Sequence, residues 1–207
     1  PKRKLTMNID VIDLIDKLDD NLIVDHRKDL LKPLRDYVVQ KSKQKVEANL
    51  NFICTHNSRR SQLAQVWAKI ISDYYGFNIN SFSGGTQVTN CNRRTIASFE
   101  RMGFKVKNPG GENPHYELTY HYKRRPIIVF SKTFDDESNP KNNFAAVMTC
   151  TNADENCPII SGAEKRISLP FEDPKIYDNS NQESEKYDER STQIASEMKY
   201  IFNARSH

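Results

Sequence analysis

Residues 51–70 read NFICTHNSRRSQLAQVWAKI. The apolar run LNFIC, from Leu50, has the length of a short buried strand. Leu63, Val66, Trp67, Ile70 and Ile71 then recur at the spacing of one helix face, predicting an amphipathic helix over 60–75. Between strand and helix, Cys54 stands five residues ahead of Arg60, with Ser61 next. A loop that leads from a strand into a helix N-terminus gathers backbone N–H groups into a cradle for anions. The candidate oxyanion-binding set is therefore Thr55, His56, Asn57, Ser58, Arg59, Arg60 and Ser61. The same field favours a thiolate at Cys54. Arg60 can grip a tetrahedral oxyanion through two parallel hydrogen bonds, which a lysine cannot copy. Asn57 and Ser61 are suited to fixing the loop or to hydrogen-bonding the sulfur or the anion. The plain alternative is an inert buried cysteine beside solvated arginines, and the strand–loop–helix setting argues against it.

Working outward, FNINSFSGGT reads as a second strand and turn, and NRRTIASFERMGF as a second helix. HYELTYH and RRPIIVFSK have β character on either side of a Lys-Arg turn, predicting a hairpin. FAAVMTC is a further buried strand, KRISLPFEDP a short last strand and loop, and residues 182–202 a closing helix carrying Ile194, Met198 and Ile201. This alternation predicts an α/β fold: a doubly wound, mainly parallel four-stranded sheet flanked by helices. Ahead of it, residues 8–46 read as helical, with two apolar stripes separated by Asp19-Asp20-Asn21 and Pro33 near the start of the second helix or at a kink in it. The expected organisation is an N-terminal helical extension over 1–46 and an α/β domain over 47–207 with an insertion at about 107–132.

The bulk composition narrows the function classes. With 31 basic and 27 acidic residues, the net charge of +4 is too balanced to argue for nucleic acid. No apolar run approaches the roughly 18 residues of a membrane span, and no signal-peptide core follows the basic PKRK start, so a soluble cytoplasmic protein is expected. PKRK reads as a basic terminus rather than an import signal, and Met7 as nearer the natural start. Four cysteines (Cys54, Cys91, Cys150 and Cys157) are too few for a disulfide scaffold in 207 residues and fit thiol chemistry in a reducing compartment. Were TNADEN, between Cys150 and Cys157, helical, their α-carbons would stand about 10 Å apart. A disulfide needs less than about 7 Å, so the pair requires a loop there or refolding on oxidation. The spacing is not that of a zinc site, and no metal is expected. Asp173, ahead of Pro174 on a late loop, is a candidate general acid with Glu172 as its rival, and the Asp-Pro pair taken alone reads equally as a plain loop or turn.

Taken together, FICTHNSRRSQLAQ, SFSGGTQVTNCNRRTIASFERMGF, VMTCTNADENCPI and FEDP resemble the phosphate loop, second strand and helix, redox segment and acid loop of the low-molecular-weight tyrosine phosphatase superfamily, and within it the thioredoxin-coupled arsenate reductases. The resemblance spans roughly residues 48–205. It implies a relay in which Cys54 attacks the oxyanion, Cys150 attacks Cys54 to expel arsenite, and Cys157 takes over the disulfide and offers it to thioredoxin. It favours the catalytic reading of Asp173 and implies no bound cofactor. Cys91 matches no cysteine of that family and reads as structural.

The chain also departs from the family pattern. His56 and Arg59 stand where the family usually has glycine and a cysteine or apolar residue. Gln65 stands where the reductases place a glutamate linked to potassium, so no potassium is expected. The insertion carries Tyr116, Tyr120, Tyr122, Lys123, Arg124 and Arg125, which read better as a strand pair with one solvated face than as an RNA surface. Three readings follow: an arsenate reductase; a phosphatase acting on phosphotyrosine or a small phosphate ester, with Cys150 and Cys157 protecting or switching Cys54; and a non-enzymatic phosphate-binding module. A pure binder needs neither Cys54 nor Asp173, which argues against the last.

Overall fold

The computed structural model describes residues 9–156 and 159–203. The chain runs α1 (Ile9–Lys17), α2 (Asp25–Lys43), β1 (Ala48–Cys54), α3 (Arg60–Tyr75), β2 (Ile79–Gly85), α4 (Arg93–Arg101), β3 (Lys105–Lys107), β4 (Tyr116–Thr119), β5 (Ile127–Val129), β6 (Phe144–Met148), α5 (Thr151–Asn156), β7 (Ala163–Ser168) and α6 (Glu183–Phe202). A short 3-10 turn, Pro174–Tyr177, follows β7. PKRK, Met7 and Cys157 lie outside the described residues.

The main sheet has the order β2-β1-β6-β7, and every pair is parallel. That is the expected four-stranded sheet. β1 is buried along nearly its whole length, as a central parallel strand must be. Leu50 and Phe52 join Ala145, Val147 and Ile167 in a core shared with the helices. Ile53 joins Phe144, Ala146 and Met148 on a smaller core completed by Ala153 and Ile160. The predicted inward face of α3 is fully buried at Leu63, Val66, Trp67, Ile70 and Ile71. Trp67 donates from Nε1 to Ser191 Oγ of α6 at 2.8 Å, satisfying a polar tip that burial would otherwise strand. α3 stops at Gly76, whose left-handed conformation (φ 80°) ends the helix without steric cost.

α1 and α2 belong to the same large core through Val11, Ile15, Leu31, Leu34 and Val38. α2 packs on α6 and on β1, β6 and β7, so it covers the sheet. Arg27 fixes it to α6 through Glu197 (2.7 Å). Pro33 lies inside α2 rather than at its start, and the helix runs through it.

The insertion forms more than a hairpin. β4 and β5 pair antiparallel as expected, and β3 adds a third strand, giving a separate sheet of order β3-β4-β5. Lys105–Lys107 has only Val106 half-buried, a pattern too short to read as a strand. Tyr116 and Tyr120 face the core, whereas Tyr122 in the turn is exposed. TNADEN is helical, as α5, and not a loop.

Candidate active site

β1 delivers Cys54 to the C-terminal end of the sheet, and the chain bends through residues 55–59 before α3 begins at Arg60. The strained step falls on Asn57 (φ 47°), a residue type that tolerates the left-handed region, and not on His56. Asn57 is fully buried and all its polar groups are used. Its N–H donates to Cys54 Sγ (3.2 Å), and its Nδ2 donates to Ser61 Oγ (2.8 Å). Its Oδ1 accepts from the Lys132 N–H (3.1 Å), and its carbonyl accepts from Gln62 Nε2 (2.9 Å). Ser61 Oγ lies 3.0 Å from Cys54 Sγ. With Asn57 donating to Ser61, the Ser61 hydrogen is free to point at sulfur. Two hydrogen bonds then converge on Cys54 as an acceptor, the arrangement that a thiolate requires.

Gly85, at the end of β2, explains how the loop sits so low. A side chain there would come within 2.7 Å of the Thr55 carbonyl and 2.9 Å of the Asn57 nitrogen. Only a glycine lets the two backbones approach. The insertion supplies the other wall: Ser131 Oγ donates to the His56 carbonyl (2.8 Å), and Gln62 Nε2 also donates to the Phe130 carbonyl (2.8 Å).

Cys54, His56, Ser58, Arg59, Arg60 and Asp173 line one small cleft. Arg60 donates from Nη1 to the Phe171 carbonyl (3.1 Å) and from Nη2 to Asp173 Oδ2 (2.8 Å). Its Nε is buried with no hydrogen-bond partner among the described residues, a donor suited to an oxyanion. Asp173 Oδ1 accepts from the Lys175 N–H and so caps the 3-10 turn. The rival Glu172 is turned away, exposed and paired with Arg190 (2.9 Å).

Arg59 lines the same cleft and is also tied to the acidic loop beyond it. Its Nε donates to the Tyr187 hydroxyl (2.7 Å) and its Nη2 to Asp178 Oδ2 (3.2 Å), while Tyr187 donates to Asp178 Oδ1 (2.7 Å). Burial, reinforced by the bond to Asp178, raises the Tyr187 phenol and keeps it protonated. Consecutive arginines of the loop after Cys54 thus hold two points of the later loop, Arg60 at Asp173 and Arg59 at Asp178. Sequence reading missed Asp178, Tyr187, Gln62, Ser131 and Lys132. Only Tyr187 left a signal, since a tyrosine seven residues before Ile194 on the buried face of α6 needs a partner for its hydroxyl.

Cys150 follows β6, whose neighbour is β1 in register Ile53↔Met148. Thr149 bonds twice to the Ile53 carbonyl, through N–H (2.7 Å) and Oγ1 (2.9 Å), so both cysteines stand at the same end of adjacent strands. Cys150 Sγ is 3.5 Å from Thr55 Oγ1 and accepts from the Ala153 N–H (3.4 Å). Cys91 is buried just ahead of α4, where desolvation pushes its thiol well above the ordinary range, which fits a structural residue. Gln65 is buried and accepts from Ser83 Oγ (2.5 Å). No helix among the described residues is long and apolar enough to cross a membrane.

No family model matches the chain. The arsenate reductase of Staphylococcus aureus is 29% identical over 124 residues, 59% of this chain and 76% of that protein. Arsenate reductase 1 of Staphylococcus saprophyticus is 29% identical over 123 residues, with the same shares. Among solved structures, the low-molecular-weight protein tyrosine phosphatase from T. tengcongensis superposes with a TM-score of 0.52 at 13% identity, over 76% of this chain and 99% of that one. A low-molecular-weight phosphotyrosine phosphatase from Vibrio cholerae O395 gives 0.51 at 12%, over 76% and 95%. The structural likeness carries the fold, and the sequence likeness points to the reductases.

Proposed function

We propose that this chain, a member of the low-molecular-weight tyrosine phosphatase superfamily similar in sequence to arsenate reductases, reduces arsenate through a cysteine relay. The observation that supports it most is the convergence of Asn57 N–H and Ser61 Oγ on Cys54 beside Arg60, with Cys150 at the end of the adjacent strand. In this reading Cys54 attacks the arsenic of a bound arsenate and water departs, its oxygen protonated by Asp173. Cys150 then attacks Cys54 Sγ. The S–As bond breaks with its electron pair on arsenic, releasing arsenite and leaving a Cys54–Cys150 disulfide. Cys157 attacks Cys150, freeing Cys54, and a dithiol donor of the thioredoxin class, in the cytoplasm, reduces the Cys150–Cys157 bond.

The last transfer requires α5 to unwind, because a six-residue helix carries the chain about 9 Å along its axis. Only Ala153 of α5 is buried, so little packing opposes that.

Hydrolysis of a phosphate ester through a phosphocysteine is the second reading. It needs only Cys54, Arg60 and Asp173, and the helical form of α5 in the resting molecule favours it. The two part on one assay: arsenate-dependent NADPH consumption with thioredoxin and thioredoxin reductase, wild type against Cys157→Ser. The relay requires turnover that the variant loses. An aryl phosphatase activity that survives Cys157→Ser, with no arsenate turnover, makes the chain a phosphatase.

A further inference from the structure

An outer strand of each sheet contributes to one cleft that shares no lining residue with the cleft at Cys54. β2 is an edge of the parallel sheet and β5 an edge of the antiparallel one. Residues of both, with Gln65 and Lys69 of α3, line a cleft of about 350 Å³. That volume falls within the range of small-molecule sites. Phe82, Pro126, Ile128 and Phe130 give it apolar walls, and Lys69, Arg125 and Lys132 give it positive charge.

These cations are not equivalent. Lys69 is neutralised by Asp73 (3.0 Å) and also donates to the Ile79 carbonyl. Lys132 is only 6% exposed, and its ammonium lies 4.4 Å from the centre of the Phe130 ring. Among the described residues no carboxylate forms an ion pair with it. Asp136 acts on it through space without an ion pair, and its Oδ1 accepts from the N–H and hydroxyl of Ser138. Burial lowers the Lys132 pKa to about 8, offset only in part by the charge of Asp136. Arg125 is exposed at the rim, with no ion pair among the described residues. A buried cation with no ion-pair partner among the described residues, lining a partly apolar cleft, is stabilised by an anion that meets it.

We propose that the cleft between β2 and β5 binds a small organic anion, its apolar body against Phe82 and Phe130 and its carboxylate or phosphate head on Lys132 and Arg125. The site is separate from Cys54 and does not depend on the reductase reading. It borders the catalytic loop all the same, because the backbone N–H of Lys132 holds Asn57 Oδ1 and its carbonyl accepts from the Gly85 N–H.

Phenylacetate is a suitable probe, since its planar carboxylate is a poor match for a tetrahedral-oxyanion loop. Titrated into the full ¹⁵N-labelled chain under reducing conditions, it should shift the amides of Phe82, Ile128, Phe130 and Lys132 with saturation. Acetate, without the apolar body, should shift them at least tenfold less at the same concentration. Lys132→Met should weaken phenylacetate at least tenfold. Arg125→Ala, at an exposed position that leaves the core intact, should weaken it severalfold and decides the matter if the first variant does not fold. Shifts confined to residues 54–61, no shift at all, or unchanged affinity in Arg125→Ala together with unchanged or unobtainable affinity in Lys132→Met would overturn the proposal.

Discussion

Arg60 Nη2 lies 2.8 Å from Asp173 Oδ2, so the arginine suited to an oxyanion already holds the carboxyl suited to protonate its leaving oxygen. An arriving oxyanion competes with Asp173 for one guanidinium. Asp173→Asn should therefore lower turnover by about 10²- to 10³-fold where a poor leaving group needs a proton. Substrates with an acidic leaving phenol should suffer much less. Inorganic phosphate should inhibit the variant more tightly, because a neutral amide competes less well for Arg60. Leaving-group dependence and the phosphate inhibition constant check both parts.

Arg59, Asp178 and Tyr187 form one hydrogen-bonded triangle that ties the loop after Cys54 to the loop that carries Asp173. Tyr187→Phe and Asp178→Asn should each lower kcat by about 10-fold with little change in KM, on the scale of one partly buried charge-assisted bond. The double variant should lose far less than the product of the two, since groups acting as a unit are not additive. Steady-state kinetics of the cycle tests this.

Gly85→Ala puts a methyl group against the Thr55 carbonyl and the Asn57 nitrogen. Overpacking of this kind costs about 1–3 kcal/mol. The expected result is a lower denaturation midpoint and, because the displaced backbone carries the Asn57 N–H that donates to Cys54, a disproportionate loss of activity at temperatures where the variant is still folded.

Arg166 pins the helix between the two downstream cysteines, donating to the Asp154 carboxylate (2.7 Å) and carbonyl (2.6 Å). Arg166→Ala should loosen α5 and speed Cys150–Cys157 disulfide formation severalfold, measured by quenched thiol alkylation after oxidant addition. An unchanged rate would mean that unwinding of α5 does not limit the transfer.

Lys132 also gives the fold a pH dependence. Its folded pKa, about 8, lies below the ordinary value of 10.5, so between these pH values the unfolded chain binds more protons than the folded one. Stability should rise as pH increases from about 8 to 10.5, by up to about 3 kcal/mol from this group. The raised Cys91 thiol and Tyr37, Tyr120 and Tyr187 phenols act in the opposite sense over this range. The contribution is therefore read as the difference between wild type and Lys132→Met in denaturant titrations, which should shift in favour of wild type as pH rises from about 8 to 10.5.

Much of this was legible in the sequence because strand and helix signals flanked Cys54 directly. LNFIC and the face Leu63–Ile71 set β1 and α3, and their junction set the loop. What stayed hidden depends on tertiary contact. Nothing local to Arg59 reveals its bonds to Asp178 and Tyr187, more than a hundred residues away. Lys105–Lys107 has too little alternation to show β3, and its partner strand lies beyond a loop. TNADEN carries turn-forming residues, yet it is helical because the Cys150 sulfur accepts from its first turn and Arg166 holds its middle.

The relay is tested most directly by a single turnover. Fully reduced protein is mixed with excess arsenate and no electron donor, and arsenite and free thiols are counted per chain, with the disulfide mapped by mass spectrometry. The relay predicts one arsenite and two lost thiols, with Cys150 joined to Cys157 in wild type and to Cys54 in Cys157→Ser. All thiols retained and no arsenite formed, from protein that still hydrolyses an aryl phosphate through Cys54, would contradict it.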